Sequence, residues 1–479
     1  MKLLRIVVAI TAFAVAGSGQ AAAQYGAPAP QAPRIPAGGL QFSSSSQFSG
    51  SVPAGQATAT PIPLSLQEAI DRGIKNNLGL LVRGALGSMA RADRLRALSA
   101  LLPALNAGVT ETETQIDLAV YGISVPGFPS VVGPFHYIDA RAAASAYLLN
   151  FTSLKNLRSA AESARAAELS IQDGRDLVVQ AVAAGYFAVL ADIGRVAATR
   201  TQVDTAQALY TAAHDRHVAG VSAAIDELRA QVELKAQQER LVAAQNALAR
   251  DKLTLGRAIG LPAGQDFNPT DEAPYVPLEG LGAEDLVKRA LENRADYRSA
   301  GAQLRAAEMA RKAADAERYP TAYLDANYGV IGPSPNNSHG TFSVIGSVNI
   351  NLFDGGRIRA DQQAASAEIE RRRSELADLR GRIDYEVRTS LLDLSTAADQ
   401  VALARSNVDL AAQTLDQARD RFASGVADNI EVVQAQEALA GANQDLINSL
   451  FAHNLAKVSL ARAVGGAETS LKQFLGGNR

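Results

Sequence analysis

Between Gly356 and Gly425 the chain has no proline and a single glycine, Gly381, so nothing in that span stops a helix. Apolar or small residues recur there at Leu376, Leu379, Ile383, Val387, Leu391, Leu394, Ala398, Val401, Val408, Ala412, Leu415 and Phe422. The steps are threes and fours, with Arg405 and Arg419 filling two interruptions. A repeat averaging about 3.5 residues predicts a left-handed coiled coil. From Asp361 to Phe422 such a helix is a rod of about 93 Å, longer than a compact domain is wide. A turn at Ala423, Ser424 and Gly425 then opens a second helix to about Val464, and the chain does the same around Ala219 and Gly220. Glycine just past a helix is the expected left-handed stop.

That second occurrence belongs to an internal duplication. Ile70, Ile74, Asn76, Ala90, Ala97 and Pro103 match Val287, Leu291, Asn293, Ala307, Ala314 and Pro320 at one fixed offset. Asp215, Arg216, Gly220, Val221, Ile225 and Gln231 match Asp420, Arg421, Gly425, Val426, Ile430 and Gln436 at a slightly shorter one. Leu255, Arg257, Ala258 and Gly260 match Leu460, Arg462, Ala463 and Gly465 at that same shorter offset. The lost residues fall in the loop around Tyr121 to Pro134, where insertions are tolerated. A period of roughly 200 residues is too long for a solenoid and fits a duplicated unit with pseudo-twofold arrangement.

Each copy reads as a helical stretch, an alternating stretch, a loop, a second alternating stretch and two long helices. The clearest strand is Thr341 to Phe353, with Phe342, Val344, Val348, Ile350 and Leu352 on one face and Ser343, Ser347, Asn349 and Asn351 on the other. Thr321 to Val330 sets Ala322, Leu324, Ala326, Tyr328 and Val330 against Thr321, Tyr323, Asp325 and Asn327. In the first copy Ile138, Ala140, Ala142, Ala144, Ala146 and Leu148 oppose Tyr137, Asp139, Arg141 and Ser145, and Thr110 to Val120 alternates less cleanly. About 9 to 11 residues suffice for a tilted strand to cross a bilayer, although a soluble half-buried sheet gives the same alternation.

The N-terminus favours the membrane reading. Lys2 and Arg5 precede an apolar run from Ile6 to Gly17 and then Ala21, Ala22 and Ala23, the pattern of a secretory signal peptide cleaved after Ala23. Residues 24–63 are rich in Pro, Ala, Gly, Ser and Gln and read as a flexible extension. The remaining divisions are a first repeat at 64–260, a connecting segment at 261–282, a second repeat at 283–465 and a tail at 466–479. No uninterrupted apolar stretch of about 18 residues offers a spanning helix, so a membrane span in this chain is β. Four strands cannot close a barrel, which needs at least about 8, because an open edge in lipid leaves backbone groups unpaired. Two chains reach 8 strands and three reach 12.

The composition removes other classes. With no Cys there is no disulfide scaffold, thiolate metal site, cysteine nucleophile or lipoprotein anchor. A formal charge of -3, from 46 basic and 49 acidic residues, supplies no cationic field for a nucleic acid. Of the five His only His214 and His217 are close enough on a helix to share a metal, and no HExxH accompanies them. Three Met give little basis for a thioether copper path. No constellation for catalysis appears, and no cofactor is implied.

Asn351 to Arg357 reads NLFDGGR and is followed by a long Ala-rich helix and the tip RFASGVADNIEVVQAQ from Arg421 to Gln436. This pattern resembles the TolC-like outer membrane efflux protein family, over both halves from about Leu64 to Gly465. The resemblance implies a mainly α fold with a small membrane β component. Long coiled-coil helices would form a periplasmic tunnel, and a homotrimer would close a 12-stranded barrel among outer membrane lipid. It implies a passive exit duct served by a periplasmic adaptor and an inner membrane pump. A wide duct need not contact its cargo specifically, so small-molecule efflux and type I protein secretion both fit, with a periplasmic coiled-coil scaffold as the reading outside channels.

Asp226 and Glu431 are repeat equivalents, one to two turns into the helices that return from the tips. In a trimer three copies of Glu431 would form an acidic ring that attracts cations. Carboxylates near a helix N-terminus are equally accounted for by the helix dipole. The family pattern has acidic residues at positions matching Glu431 and Gln434; here the second is an amide. Its closing tyrosine and arginine match Phe422 and Ala427, which lack the polar groups to bond Asp226. The tips, Gly220 with Val221 and Gly425 with Val426, match where the family receives its adaptor, and they also serve simply as turns.

Overall fold

Two short helices, two strands and two long helices follow one another twice along the chain. The computed structural model describes residues 48–123, 126–271, 275–277, 282–424, 426 and 429–474. The expected signal peptide at 1–23, the first part of the extension, Gly425 and Ala427 lie outside the described residues.

The first unit runs α1 (Leu66–Asn76), α2 (Leu78–Ser99), β2 (Ala104–Asp117), β3 (Val131–Leu149), α3 (Phe151–Val218) and α4 (Ala224–Ile259), preceded by the short β1 (Ile62–Leu64). After β4 (Phe267–Pro269) the second runs α5 (Ala283–Asn293), α6 (Ala295–Ala316), β5 (Thr321–Gly332), β6 (His339–Asn349), α7 (Arg357–Ala423) and α8 (Asn429–Val464), and α9 (Ala467–Phe474) follows. Ser65 and Glu68 form a reciprocal capping box that starts α1. Pro103 and Pro320 each stand where a helix has ended and a strand begins, because the residue before proline is pushed toward extended backbone.

The NLFDGGR stretch has a physical account at the entry to α7. β6 ends at Asn349, short of the Phe353 that alternation suggests, and Gly355 and Gly356 take φ of 66° and 95°. The Asp354 carboxylate accepts from the N–H groups of Gly356 and Ile358 at 3.0 and 2.7 Å, which caps the new helix. β2 also departs from its expected span: it begins at Ala104 and yields to a 3₁₀ turn at Leu118–Tyr121. Its first residues, Ala104 to Gly108, are too small and mixed to show an alternating signal.

β2, β3, β5 and β6 form one antiparallel sheet in that order. Its register sorts residues by face. Val109, Ala140 and Val330 share a level, as do Ala142, Tyr328 and Phe342. The other face carries Thr110, Asp139, Arg141, Asn327 and Thr341; Arg141 donates to Asn327 at 2.5 Å and to Thr341 at 3.2 Å, tying three strands together. Val109, Phe342 and Val348 are all about seven-tenths exposed on the apolar face.

The coiled-coil seam of α7 is confirmed, with a shift. Ile383, Val387, Leu394, Val401 and Leu415 are buried. At the two interruptions Ala404 and Ala418 occupy the seam, while Arg405 and Arg419 face outward. α3 carries one 18-residue stretch of mean hydropathy 1.8, apolar enough by length and composition to cross a membrane. It is not the uninterrupted apolar run sought in the sequence, since Gln180 and Asp192 break the apolar part of α3. Over half of it, 56%, is buried inside the chain, and Val178, Val182, Tyr186 and Val189 form the main core with Ile383, Val387, Val458 and Leu460. Its apolarity is accounted for as core.

Residues 48–63, read as part of a flexible extension, are tied to the rest of the chain at several points, although 52–61 stay exposed. Phe48 is buried, Val52 donates to the carbonyl of Asn76 at 2.9 Å and β1 pairs in parallel with β4. Composition weighs apolar surface and misses order supplied by backbone hydrogen bonds. At the other end, within the expected tail, Ala467 and Leu471 of α9 are buried, and the α9 N–H of Glu468 reaches the Asp176 carboxylate at 3.3 Å.

Candidate functional site

The candidate residues gather where the long helices reverse. At the first tip α3 ends at Val218, Gly220 adopts φ 72°, and Val221 N–H returns to the Arg216 carbonyl at 2.9 Å. A Cβ on Gly220 would meet nothing, so the positive φ alone asks for glycine there. At the second tip Val426 N–H returns to the Arg421 carbonyl, also at 2.9 Å. The same backbone bond therefore recurs at both tips. Val221 and Val426 are 68% and 72% exposed.

Asp226 and Glu431 both lie in the first turn of their helices, slightly earlier than the spacing suggests. Both face a cation. Arg229 Nη1 stands 3.8 Å from Asp226, and Arg421 Nε stands 3.2 Å from Glu431. Gln434 is exposed one turn further on. With Ile225, Leu228, Val232, Ile430 and Val433 it lines an open groove of about 340 Å³ between the starts of α4 and α8. The structure thus brings Gln434 beside the helix that carries Asp226.

Beneath the tips a second apolar cluster joins all four long helices: Leu209 and Ala213 of α3, Ala230 of α4, Leu415 and Ala418 of α7, and Val432 and Ala435 of α8. Phe422 packs against it. Sequence reasoning missed two sets of contacts above this cluster. Arg216 donates to the Phe422 carbonyl at 3.0 Å and its guanidinium carbon lies 4.6 Å from the centre of the Phe422 ring. His214 and His217, at the end of α3, both approach Glu227 at the start of α4, at 2.8 and 3.9 Å. Among the described residues no group of three or more His, Cys, Asp or Glu is arranged to hold a metal. The signal that could have pointed to Arg216 was its repeat match with Arg421; Glu227 had none, since its match, Val432, is apolar and buried.

Charged groups ring a reversal of helices, above an apolar seam, at the opposite end of the long helices from a sheet with one polar and one apolar face.

Comparison with known proteins places this architecture. The family model described as Outer membrane efflux protein matches twice, at residues 74–261 and 286–466. The chain is 26% identical to the outer membrane protein OprJ of Pseudomonas aeruginosa over 85% of either chain. It is 24% identical to the probable efflux pump outer membrane protein TtgC of Pseudomonas putida, over 84% of this chain and 83% of that one. The solved CmeC outer membrane channel of Campylobacter jejuni superposes with a TM-score of 0.74 at 15% identity, covering 86% of this chain and 89% of that one.

Proposed function

Because the chain belongs to the outer membrane efflux protein family, we propose that it is the outer membrane channel of a tripartite efflux system, a passive exit duct for small molecules. The observation that carries this reading is the coincidence of the duplicated helical hairpins with an open, four-stranded sheet having one polar and one apolar face. The duct works as a homotrimer: three sheets make a 12-stranded barrel whose apolar face meets outer membrane lipid and whose polar face, with Arg141 and Asp139, lines the lumen. The long helices run from that barrel into the periplasm, where the tips meet an adaptor linked to an inner membrane pump. The exposed Val221 and Val426 support tip docking, together with the turn at Gly220. Gln434 lines the groove between the tips, and Asp226 and Glu431, in the first turns of the helices that flank it, set the charge selectivity of the narrow end.

Energy comes from the pump, and the duct itself performs no covalent step. The test is accumulation of dyes and antibiotics in cells lacking this gene, with and without complementation. Accumulation that rises and is reversed by complementation is the expected result. Unchanged accumulation, with a changed set of secreted proteins, would transfer the duct to protein export.

A further inference from the structure

One arginine position, duplicated, has two different destinations. Arg216 and Arg421 are repeat equivalents in matching turns, each with its carbonyl accepting from the valine five residues on. Arg421 stays within its own hairpin and faces Glu431 at 3.2 Å. Arg216 instead leaves the α3–α4 hairpin and reaches the α7–α8 hairpin, where it meets the carbonyl and the ring of Phe422. Since the same backbone bond closes over both arginines, that bond does not dictate the crossing. What differs is the partner.

We propose that Arg216 is the positioning residue that clasps the two hairpins together at their tips and so sets the bore of the duct there, through the main-chain carbonyl and ring face of Phe422. The inference rests on the duct reading above. Three observations fit it. The Phe422 carbonyl lies in the last turn of α7, at the negative end of the helix dipole, where a guanidinium is favoured. The aromatic face offers the same cation a second contact within the distance at which such pairs attract. And Phe422 is seated on the apolar seam of Leu415, Ala418 and Val432, so a pull on its ring and carbonyl is transmitted to the packing of both hairpins. The aromatic residue here has no hydroxyl, and the clasp uses none; it needs only a ring face and a backbone oxygen.

Single-channel recording of the full-length protein in planar bilayers tests this, with Arg216→Ala, Arg216→Lys, Phe422→Leu and Phe422→Trp compared with wild type. Loss of the clasp in Arg216→Ala should raise the open probability about tenfold, the equilibrium change that a contact of this strength supports. Arg216→Lys, which keeps charge but loses the planar fork, and Phe422→Leu, which keeps the carbonyl but loses the ring, should fall between, and Phe422→Trp should stay near wild type. The two intermediate variants carry the test if Arg216→Ala does not assemble. Wild-type pores whose open probability is unchanged by Arg216→Lys and Phe422→Leu overturn the clasp alone, as does a variant that only melts earlier. A wild-type protein that forms no pores overturns the duct reading and the clasp with it.

Discussion

Lys457 and His453 stand one turn apart on α8 with no solvent exposure, and among the described residues neither Lys457 Nζ nor either His453 ring nitrogen meets a hydrogen-bond partner. The Tyr275 ring lies 4.9 Å from the His453 ring, and Arg405 lies 4.5 Å from that same tyrosine. Burial pulls the Lys457 pKa down to about 8; burial and then the Lys457 charge pull His453 down to about 4. In the unfolded chain both bind protons at higher pH than in the folded one. Stability therefore falls as pH drops from about 10.5 to 8 through Lys457, and again from about 6.5 to 4 through His453. Each window is worth about 3 kcal/mol. At pH 7 the lysine cost is already present in full. Lys457→Met should raise the thermal midpoint at pH 7 and abolish the pH dependence between 8 and 10.5, measured by thermal unfolding of the detergent-extracted protein. An unchanged midpoint would mean that Lys457 finds a partner. Glu431 poses the opposite case, a carboxylate with a cation beside it. In the proposed trimer Glu431→Ala would remove three negative charges and separate three Arg421 guanidinia from their carboxylates. The reversal potential in a salt gradient should move toward anion selectivity; an unmoved potential removes Glu431 from the conducting path.

At the scale of elements, much was legible because periodicity is a property of one element at a time. The steps of three and four placed α7 to within a few residues at its start, and the fixed offsets between copies located both tips. Ala404 and Ala418 show the limit. Arg405 and Arg419 stand one position away, and an alanine gives a weak apolar signal beside a long side chain, yet in the structure alanine fills the seam. β2 was displaced for a related reason, since Ala104 to Gly108 belong to the strand by pairing with β3 rather than by their own pattern. At the tips, Asp226 and Glu431 were singled out by repeat arithmetic, but the arginines beside them were not, and neither was the path of Arg216. Whether an arginine turns back to its own hairpin or crosses to the next depends on how two helical pairs pack, and no spacing within one helix encodes that. The corners between short helices make the same point. Asn77 bends the first by holding the carbonyl of Phe48 at 2.6 Å, while Arg294 bends the second through Asp296 at 2.7 Å and Glu386 at 2.5 Å. Desolvation opposes that arginine's charge, but its two carboxylates outweigh it and raise the pKa, as they must for a guanidinium almost wholly buried.

For the molecule as a whole, the sheet sets the assembly. β2 and β6 each present one ladder edge with no strand beside it among the described residues. In lipid such an edge leaves a row of N–H and C=O groups unpaired, at several kcal/mol each by the usual cost of burying them. The strands alternate in direction across the sheet, so β6 of one chain laid beside β2 of the next continues the antiparallel order without a break. Closure by two chains or by three differs in what a covalent link across that edge would produce. The chain has no cysteine, so an introduced pair can form only the designed bond. With Val109→Cys fixed on β2 and a second cysteine walked along the same face of β6, through Gly340, Phe342, Val344, Gly346 and Val348, one or two neighbouring positions should bring Cβ atoms within about 4 Å and oxidise. Three chains should give cross-linked dimers and trimers on a denaturing gel and nothing larger, because the ring is then complete. Bands that stop at the dimer would mean an eight-stranded barrel. No cross-link at any position, in variants that still reach the outer membrane, would mean that β2 and β6 do not meet.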